Sequence, residues 1–142
     1  MEVNAGNIIA GLALILSGYA TWKTVKLNNL LVAKERGEAL KTKKADLGAS
    51  FMSIGSSNHR LKIGNKGKAT ARNVRIEFPE GNDIVIPGEI DTKFPIEALE
   101  PFQFVELIAF LSMRTTKRKH PVRLIWSDDF SEENEKIVYL II

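Results

Sequence analysis

The feature that most constrains this chain is an uncharged apolar stretch close to its start. It covers residues 3–22, reads VNAGNIIAGLALILSGYATW, and its first flanking cation is Lys23. A helix that crosses the hydrocarbon core of a bilayer needs about 20 mostly apolar residues, so this stretch is just long enough. It has no polar face, whereas a helix that packs on a soluble core carries one. The sequence therefore predicts a transmembrane helix over residues 1–22.

The residues at the end of this stretch are of the kinds found where a helix leaves a bilayer. Tyr19 and Trp22 are placed for an aromatic belt, and Lys23 and Lys26 can extend their amines toward lipid headgroups. We predict that these four residues lie at the membrane interface.

Two other interpretations of the apolar stretch stay open. A cleaved signal peptide would begin with a basic segment, whereas this chain opens with Met1-Glu2, although Gly18-Tyr19-Ala20 resembles a small-x-small cleavage site. A buried helix of a soluble protein is the other interpretation. It is disfavoured because the rest of the chain is predicted to form strands that would fill their own core.

Charge is unevenly distributed about this stretch. Only Glu2 is charged before it, while residues 23–45 contain seven Lys or Arg. The positive-inside rule therefore predicts a single-pass membrane protein with its N-terminus outside and its C-terminal domain in the cytoplasm. Residues 46–142 hold thirteen Lys or Arg and fourteen Asp or Glu, a net charge of −1. That balance argues against nucleic acid as a partner, because nucleic-acid binders concentrate positive charge on the folded domain.

Small residues recur along the predicted membrane helix. Gly11 and Gly18 are seven residues apart and share nearly the same face, which permits a second helix to approach closely. This face is a candidate for helix packing in a homo-oligomer. The alternative is that small residues are simply common in membrane helices.

Residues 23–45 form a basic juxtamembrane connector made of good helix formers. We predict a continuous helix leaving the membrane, whose cations are attracted to anionic headgroups. A solvated basic stalk is the alternative. Gly37 weakens the helix and is expected to mark its end or a hinge.

From Asp46 onward the spacing of apolar residues changes from helical to alternating, which predicts strands. The alternating runs are Leu47, Ala49 and Phe51; Leu61 and Ile63; Val74, Ile76 and Phe78; Val122, Leu124 and Trp126; and Ile137, Tyr139 and Ile141. Residues 102–111 are apolar on both faces, which predicts a central or doubly covered strand, and residues 84–86 add a short one. Gly, Pro and Asn separate the runs. Residues 46–142 are therefore predicted to form a mainly β, seven-stranded sandwich without disulfides, with Phe51 and Trp126 in its core.

Residues 61–74, LKIGNKGKATARNV, carry a resemblance to a known family. The segment resembles the L-x-I-x-N-x-G-x-x-x-A-x-N-V pattern of bacterial immunoglobulin-like domains of the CARDB type, and Leu99-Glu100-Pro101 fits their L-x-P entry to the next strand. The likeness covers roughly residues 46–142. The whole layout resembles uncharacterised bacterial single-pass membrane proteins with such a C-terminal domain. This resemblance implies an immunoglobulin-like fold and an anchor in the bacterial inner (cytoplasmic) membrane, and it supplies no catalytic residues to carry over.

Three residues of this motif have structural roles in the prediction. Asn65 and Gly67 suit a turn that needs positive φ, and the Asn73 side chain is expected to bind nearby backbone.

No catalytic motif is recognisable in the sequence. The chain has no cysteine, which removes thiol nucleophiles, disulfides and cysteine-based metal sites. His59 and His120 are the only histidines, and neither has a ligand-type residue at metal-binding spacing, so we expect them on the surface or in turns. We therefore predict that the protein is not an enzyme and uses no cofactor or metal.

Two charged loops remain as candidates for contact. Lys117, Arg118 and Lys119 form a basic loop that suits lipid phosphate, nucleic acid or an acidic protein partner. Its alternative is a soluble tip that pairs with the acidic turn at residues 128–135. That turn lacks the spacing of an EF-hand and is expected to be solvated.

The combination of anchor and β domain favours a membrane-tethered, non-catalytic binding module. Its immunoglobulin-like domain would be presented to an unknown protein partner at the surface of the lipid bilayer, through an edge strand or a loop. The alternative is a structural homo-oligomer assembled through the transmembrane helix.

Overall fold

The computed structural model describes residues 4–112 and 115–142. It divides the chain into two compact units, Met1–Ala39 and Leu40–Ile142. The first unit is helical and the second is built mainly from strands. Residues 1–3, which open the predicted membrane span, lie outside the described residues.

The N-terminal helix, α1, runs from Ala5 to Thr42 and has no buried residue. By length and composition it is able to cross a membrane. It passes through Gly37 without a break, because one glycine costs a helix only about 1 kcal/mol and its neighbours are good helix formers. The Thr21 and Thr24 hydroxyls donate to backbone carbonyls one turn earlier, so these polar groups are satisfied inside the helix, as a bilayer would require.

The second unit contains seven strands and one short helix. The strands are β1 (Leu47–Ile54), β2 (Asn58–Asn65), β3 (Ala71–Glu77), β4 (Ile96–Leu99), β5 (Phe104–Ala109), β6 (Lys119–Ser127) and β7 (Asn134–Ile141), and the helix α2 is Pro87–Lys93. All strand pairs are antiparallel, and they form two sheets with the orders β1-β2-β5 and β4-β3-β6-β7. The prediction of a mainly β, seven-stranded sandwich after an N-terminal helix is confirmed.

Two of the elements differ from the prediction. Residues 84–86 form no strand, and only an isolated bridge joins Val85 to Ala109. The seventh strand is instead β4, whose four residues follow one proline and precede another, so it has almost no alternation to detect. Helix α2 was also not predicted, because Pro87-Gly88 is typical of a turn. Proline is nevertheless well tolerated in the first turn of a helix, where its missing N–H has no intrahelical partner.

Residues 102–111 were predicted to be a central strand, and this prediction is wrong. Strand β5 pairs with β2 and lies at the edge of its sheet. Leu107 and Ala109 face the core, while Phe104 and Ile108 are exposed on the other side. An apolar run therefore does not distinguish a strand covered on both faces from one whose outer face stays uncovered.

The core lies between the two sheets. Its fully buried members include Leu47, Leu61, Ile63, Val74, Ile84, Leu107, Val122 and Leu124. Trp126 is buried and Phe51 packs against the cluster, as predicted. Burial of each large apolar side chain contributes about 1.5–3 kcal/mol, which is the main stabilising term for a domain of this size.

Candidate functional site

Strand β7 carries apolar residues on both of its faces. Leu140 is buried and Val138 packs against the core, whereas Ile137, Tyr139 and Ile141 point outward with exposed fractions of 48%, 62% and 73%. These three alternate as the sequence indicated, but on the solvent side of the sheet. A cluster of large apolar side chains on an outer face is typical of an interaction surface. We call Ile137, Tyr139 and Ile141 the β7 surface.

In the part of the chain that the structure describes, the backbone N–H and C=O groups of the same three residues have no partner strand. The Ile142 N–H donates to Arg118 O at 3.1 Å, and Ile141 lies opposite Lys119 in the register with β6. Because successive residues of a strand direct their polar groups to opposite sides, the odd-numbered residues of β7 direct theirs away from β6. Among the described residues, no strand is paired with β7 on that side. The β7 surface thus combines apolar side chains with free backbone donors and acceptors.

A polar rim borders the β7 surface on strand β6. Arg123 lies opposite Ile137 in register, and its guanidinium binds the carboxylates of Glu135 and Glu77. The hydrogen bond from Arg123 to Glu135 is the main reason that the pKa of Arg123 is raised. An apolar centre with a charged border has the composition of a protein–protein interface.

The edge of β5, by contrast, is covered by side chains of α2. The Ile108 N–H donates to the Glu89 carboxylate at 3.2 Å, and Lys93 Nζ donates to the Glu106 carbonyl at 2.7 Å. Lys93 also bridges Glu89 at 2.7 Å. This Lys93 hydrogen bond, followed by that of the Ile108 N–H, holds the pKa of Glu89 below its ordinary value.

The segment before α2 completes the cover. The Ile86 N–H donates to Ile108 O at 3.4 Å, and the Phe110 N–H donates to Ile84 O at 2.8 Å. Together with α2, these bonds occupy the backbone groups that an added strand would need along this part of β5. The β5 edge is therefore closed to strand addition.

The two remaining edges belong to β4 and β1. Strand β4 is four residues long and lies between two prolines, a combination that protects an edge. Strand β1 lies alongside β7 at one side of the sandwich, where Lys136 Nζ of β7 contacts Asp46 Oδ1 at 2.7 Å. Strand β7 differs from these edges because it carries three large exposed apolar side chains along an outer side that has no paired strand among the described residues.

The four residues predicted for the membrane interface lie together on α1. The rings of Tyr19 and Trp22 are 6.3 Å apart between centroids, and Lys26 Nζ lies 5.3 Å from the centroid of Trp22. All four side chains, including that of Lys23, are exposed. The cluster combines aromatic rings with cations in the way an interfacial anchor does.

The two helix-packing glycines leave an open position on α1. A Cβ built on Gly11 or Gly18 would have no heavy atom within 4 Å. The backbone is therefore accessible at both positions, as close approach of a second helix would require.

The predicted basic loop and the acidic turn do not pair with each other among the described residues. Lys117 Nζ binds Glu80 at 3.1 Å, while Arg118 and Lys119 are exposed. The acidic turn instead contacts arginines of neighbouring strands, with Asp129 bound to Arg72 at 2.9 Å. Exposed pairs of this kind contribute little to stability.

Asp128 gives the acidic turn a structural role. Its carboxylate accepts hydrogen bonds from the backbone N–H groups of Ala45, Phe130 and Ser131, at 2.9, 3.0 and 2.9 Å. Burial raises the pKa of Asp128, but these hydrogen bonds outweigh it and hold the pKa below its ordinary value. Asp128 thereby fixes the point at which the chain enters the β domain.

Asn65 is the buried polar centre of the same end of the domain. Its Oδ1 accepts from the N–H groups of Asp46 and Gly67, and its Nδ2 donates to the carbonyls of Ala69 and Leu99. All hydrogen-bonding capacity of the amide is therefore used in a buried position. The motif that carries the family resemblance is in this respect structural.

The predicted turn chemistry of this motif is wrong in one respect. Positive φ occurs at Asn73, with a value of 49°, and not at Asn65 or Gly67. Gly67 is required for a different reason, because a Cβ there would lie 2.4 Å from the backbone N of Asp46. Asn73 lies where the register between β3 and β6 shifts, and its conformation accommodates that irregularity.

His120 is not a surface or turn residue, contrary to the prediction, whereas His59 is half-buried and lies next to the turn between β1 and β2. His120 is buried in β6 and its Nε2 lies 2.9 Å from Lys117 O. His59 lies in β2 and stacks on Phe51, with 5.3 Å between ring centroids. Within residues 4–112 and 115–142, no group of three His, Asp or Glu is placed to hold a metal ion.

Comparison with protein-family models, with curated proteins and with solved structures found no match to this chain. Sequence reasoning missed the covering role of Glu89 and Lys93, although their spacing of four residues is a helix signal. It also placed the exposed Phe102 inside an apolar strand.

Proposed function

We propose that this protein is a membrane-tethered, non-catalytic binding module, which takes an extended segment of a protein partner at the β7 edge. The observation that carries the proposal is the contrast between the covered β5 edge and the uncovered β7 edge. An added strand would bind the free backbone groups of β7, while Ile137 and Tyr139 would contact its side chains. The backbone bonds supply affinity, and the side-chain contacts supply selectivity.

Helix α1 supports the tether. It is apolar, uncharged over its first part and without a buried residue, and aromatic and basic side chains follow at the expected boundary. The positive-inside rule favours a bacterial inner membrane location with the β domain in the cytoplasm. Tethering raises the local concentration of the module, so moderate intrinsic affinity suffices. Removal of the β domain by protease added outside intact cells would contradict this orientation.

The strand order supports an immunoglobulin-like identity for the sandwich. In a constant-type immunoglobulin domain the first, second, fifth and fourth strands form one sheet, and the third, sixth and seventh form the other. Here β1-β2-β5 and β3-β6-β7 keep those neighbours, while β4 pairs with β3 in the opposite sheet. Related sandwiches share the architecture with such changes in topology.

Site-specific photo-crosslinking in membranes of the native host tests the binding site. A photoreactive residue is placed at Ile141 on β7 and, as the matched control, at exposed Ser50 on β1. We expect a discrete heterologous product from position 141 and none from position 50. Adding Tyr139→Pro should abolish the product, because proline removes a donor from the free edge while leaving the pairing with β6 in place.

Equal products at both positions, or a product that persists in the Tyr139→Pro variant, would contradict strand addition at β7. A product with the mass of two copies of this chain would instead identify the partner as a second protomer.

A structural homo-oligomer assembled through α1 is the second candidate, favoured by the unobstructed Gly11 and Gly18 positions. Replacing both glycines by Leu should then abolish crosslinked oligomers in the membrane, because the helices could no longer approach closely. Oligomers that persist in the double variant would reject this candidate.

A further inference from the structure

Phe102 is the most exposed large apolar side chain in the described residues, at 82%. It lies in the loop between β4 and β5, and its φ is 66°. A bulky residue rarely adopts this left-handed conformation. The loop holds it there, because the Phe102 N–H donates to Asn65 O at 2.8 Å and the Gln103 N–H donates to Glu100 O at 3.0 Å. The backbone is thus fixed while the ring is presented to solvent.

A second exposed ring and two lysines lie beside Phe102. Phe104 is 53% exposed, and Lys62 Nζ lies 3.8 Å from the centroid of its ring. Phe102, Phe104, Lys62 and Lys66 line a shallow hollow of about 170 Å³. Glu106 is the acidic residue opposite Lys62 in the register with β2. We call Phe102, Phe104, Lys62 and Lys66 the aromatic–lysine surface.

The aromatic–lysine surface lies at the end of the domain where the chain enters it. Asn65, whose carbonyl binds Phe102, also binds the Asp46 N–H through its side chain. The Lys44 carbonyl, close to the end of α1 in the sequence, accepts from the N–H groups of Lys68 and Ala69 at 3.2 and 3.1 Å. Hydrogen bonds therefore connect the entry of the chain directly to the loop that presents Phe102.

From this placement we infer that the aromatic–lysine surface docks the β domain on an anionic lipid bilayer. The two rings insert at the level of the headgroups, where aromatic side chains are favoured, and the two ammonium groups contact lipid phosphates. Charge complementarity selects the lipid, because the lysines at the border of the apolar rings match the anionic phosphates. The inference rests on the proposed tether, which keeps the domain close to the bilayer, and adds a second attachment that restricts its orientation.

Single-stranded nucleic acid is the other ligand that aromatic rings beside lysines can take. The net charge of −1 on residues 46–142 disfavours it, since nucleic-acid binders concentrate positive charge on the folded domain. Nucleic acid is therefore an outcome of the test, while the lipid surface is the proposal.

The test places a fluorescent reporter at the predicted contact. The full chain carrying Trp22→Phe and Phe102→Trp is reconstituted in vesicles of phosphatidylcholine, with or without phosphatidylglycerol, that include lipids brominated on the acyl chains. We expect quenching and a blue shift of the new tryptophan when phosphatidylglycerol is present. Trp126 contributes a constant background because it is buried. The matched control is Tyr139→Trp, an exposed aromatic position on β7, which should not be quenched.

Charge reversal identifies the cations responsible. Lys62→Glu with Lys66→Glu should reduce the quenching of the tryptophan at position 102 to that of the Tyr139→Trp control. Reversal of Lys117 and Arg118, two exposed cations in the segment before β6, should leave it unchanged. Retention of the Trp126 emission spectrum verifies that each variant is folded.

Three results would overturn the inference. The first is quenching at position 102 no greater than at position 139, and the second is quenching that is lost only on reversal of Lys117 and Arg118. The third is a response of the new tryptophan to an oligonucleotide but not to vesicles. Flotation of the full chain with the vesicles reports the tether separately. If the chain does not incorporate into the vesicles, its co-sedimentation with phosphatidylglycerol vesicles still tests the docking. Loss of co-sedimentation in Phe102→Asp would support the docking, and unchanged co-sedimentation would contradict it.

Discussion

Strands β5 and β7 are both edge strands rich in apolar residues, and they differ in whether that edge is covered. Both strands carry apolar residues on their outer faces, Ile108 on β5 and Ile137 and Tyr139 on β7. On β5, two side chains of α2 and two backbone groups of the preceding segment occupy the edge. On β7, no strand is paired with the outer side in the part of the chain that the structure describes.

This difference concerns unwanted pairing with other chains, which is the risk that an exposed edge strand presents. An exposed edge invites pairing with another chain, and proteins that do not use an edge cover it, shorten it or interrupt it. This domain covers β5 and shortens β4, so its fold has the means to protect an edge. The β7 edge, which has no such cover among the described residues, therefore supports the proposal that β7 binds a partner.

The largest expected effect comes from proline scanning of β7. Val138→Pro removes an N–H that bonds to β6, and should reduce the free energy of unfolding by about 3 kcal/mol. Tyr139→Pro removes an N–H that faces the free edge, and should cost only about 1 kcal/mol for the altered backbone. Urea unfolding of the full chain in detergent, followed by Trp126 fluorescence in a Trp22→Phe background, measures both. Equal losses of unfolding free energy in the two variants would show that the outer side of β7 is also hydrogen-bonded. The β5 and β7 edges would then not differ.

Strand β7 shows what an alternating pattern of apolar residues predicts and what it leaves open. Alternation at Ile137, Tyr139 and Ile141 correctly indicated a strand, because side chains of every second residue share a face. It does not say which face is buried. Val138 and Leu140 face the core while Ile137, Tyr139 and Ile141 are exposed, so both alternating sets are apolar. Only the sheet order, which depends on contacts far apart in sequence, decides this.

The second prediction concerns Ile84, which lies in the segment that covers the edge of β5. Ile84 is fully buried, so Ile84→Ala should reduce the free energy of unfolding by about 3 kcal/mol through lost burial and the cavity left behind. Ile137→Ala, an equal truncation on the exposed face of β7, should cost less than about 1 kcal/mol. The same unfolding measurement applies. A large loss for Ile137→Ala would show that the β7 surface already has a partner within the chain.

The candidate site was less predictable than the fold. Tyr19 and Trp22 were predicted as anchor residues because membrane interfaces select residue types that are visible in sequence, and their contact with a membrane stays a prediction. The cover of β5 was not predicted. Glu89 and Lys93, which bind the backbone of β5, lie in helix α2, and this helix was missed because Pro87-Gly88 is typical of a turn. Phe102 was assigned to a strand because an apolar run gives no sign that its first ring is exposed.

The smallest expected effect is a pH dependence confined to the β5 edge. The pKa of Glu89 is lowered in the folded protein by Lys93 and by the Ile108 N–H, so its carboxylate stabilises the cover at all pH values above its ordinary pKa. That contribution is lost as the pH falls through the lowered value. The protection factor of the Ile108 amide in hydrogen exchange should therefore be high at neutral pH and lower in acid. The Tyr139 amide should be weakly protected throughout, because it has no acceptor on the free edge.

Two variants test whether Glu89 is the group responsible for this acid response. Glu89→Gln keeps an acceptor oxygen but cannot titrate, so the protection of the Ile108 amide should become lower and independent of pH over the acid range. Asp91→Asn, on the exposed side of α2, should leave the wild-type profile unchanged. If the Ile108 and Tyr139 amides were equally protected at neutral pH, the two edges would not differ as the hydrogen bonds indicate. If Ile108 protection fell in acid in the Glu89→Gln variant as well, another group would be titrating, and the cover of β5 would depend on something other than this carboxylate.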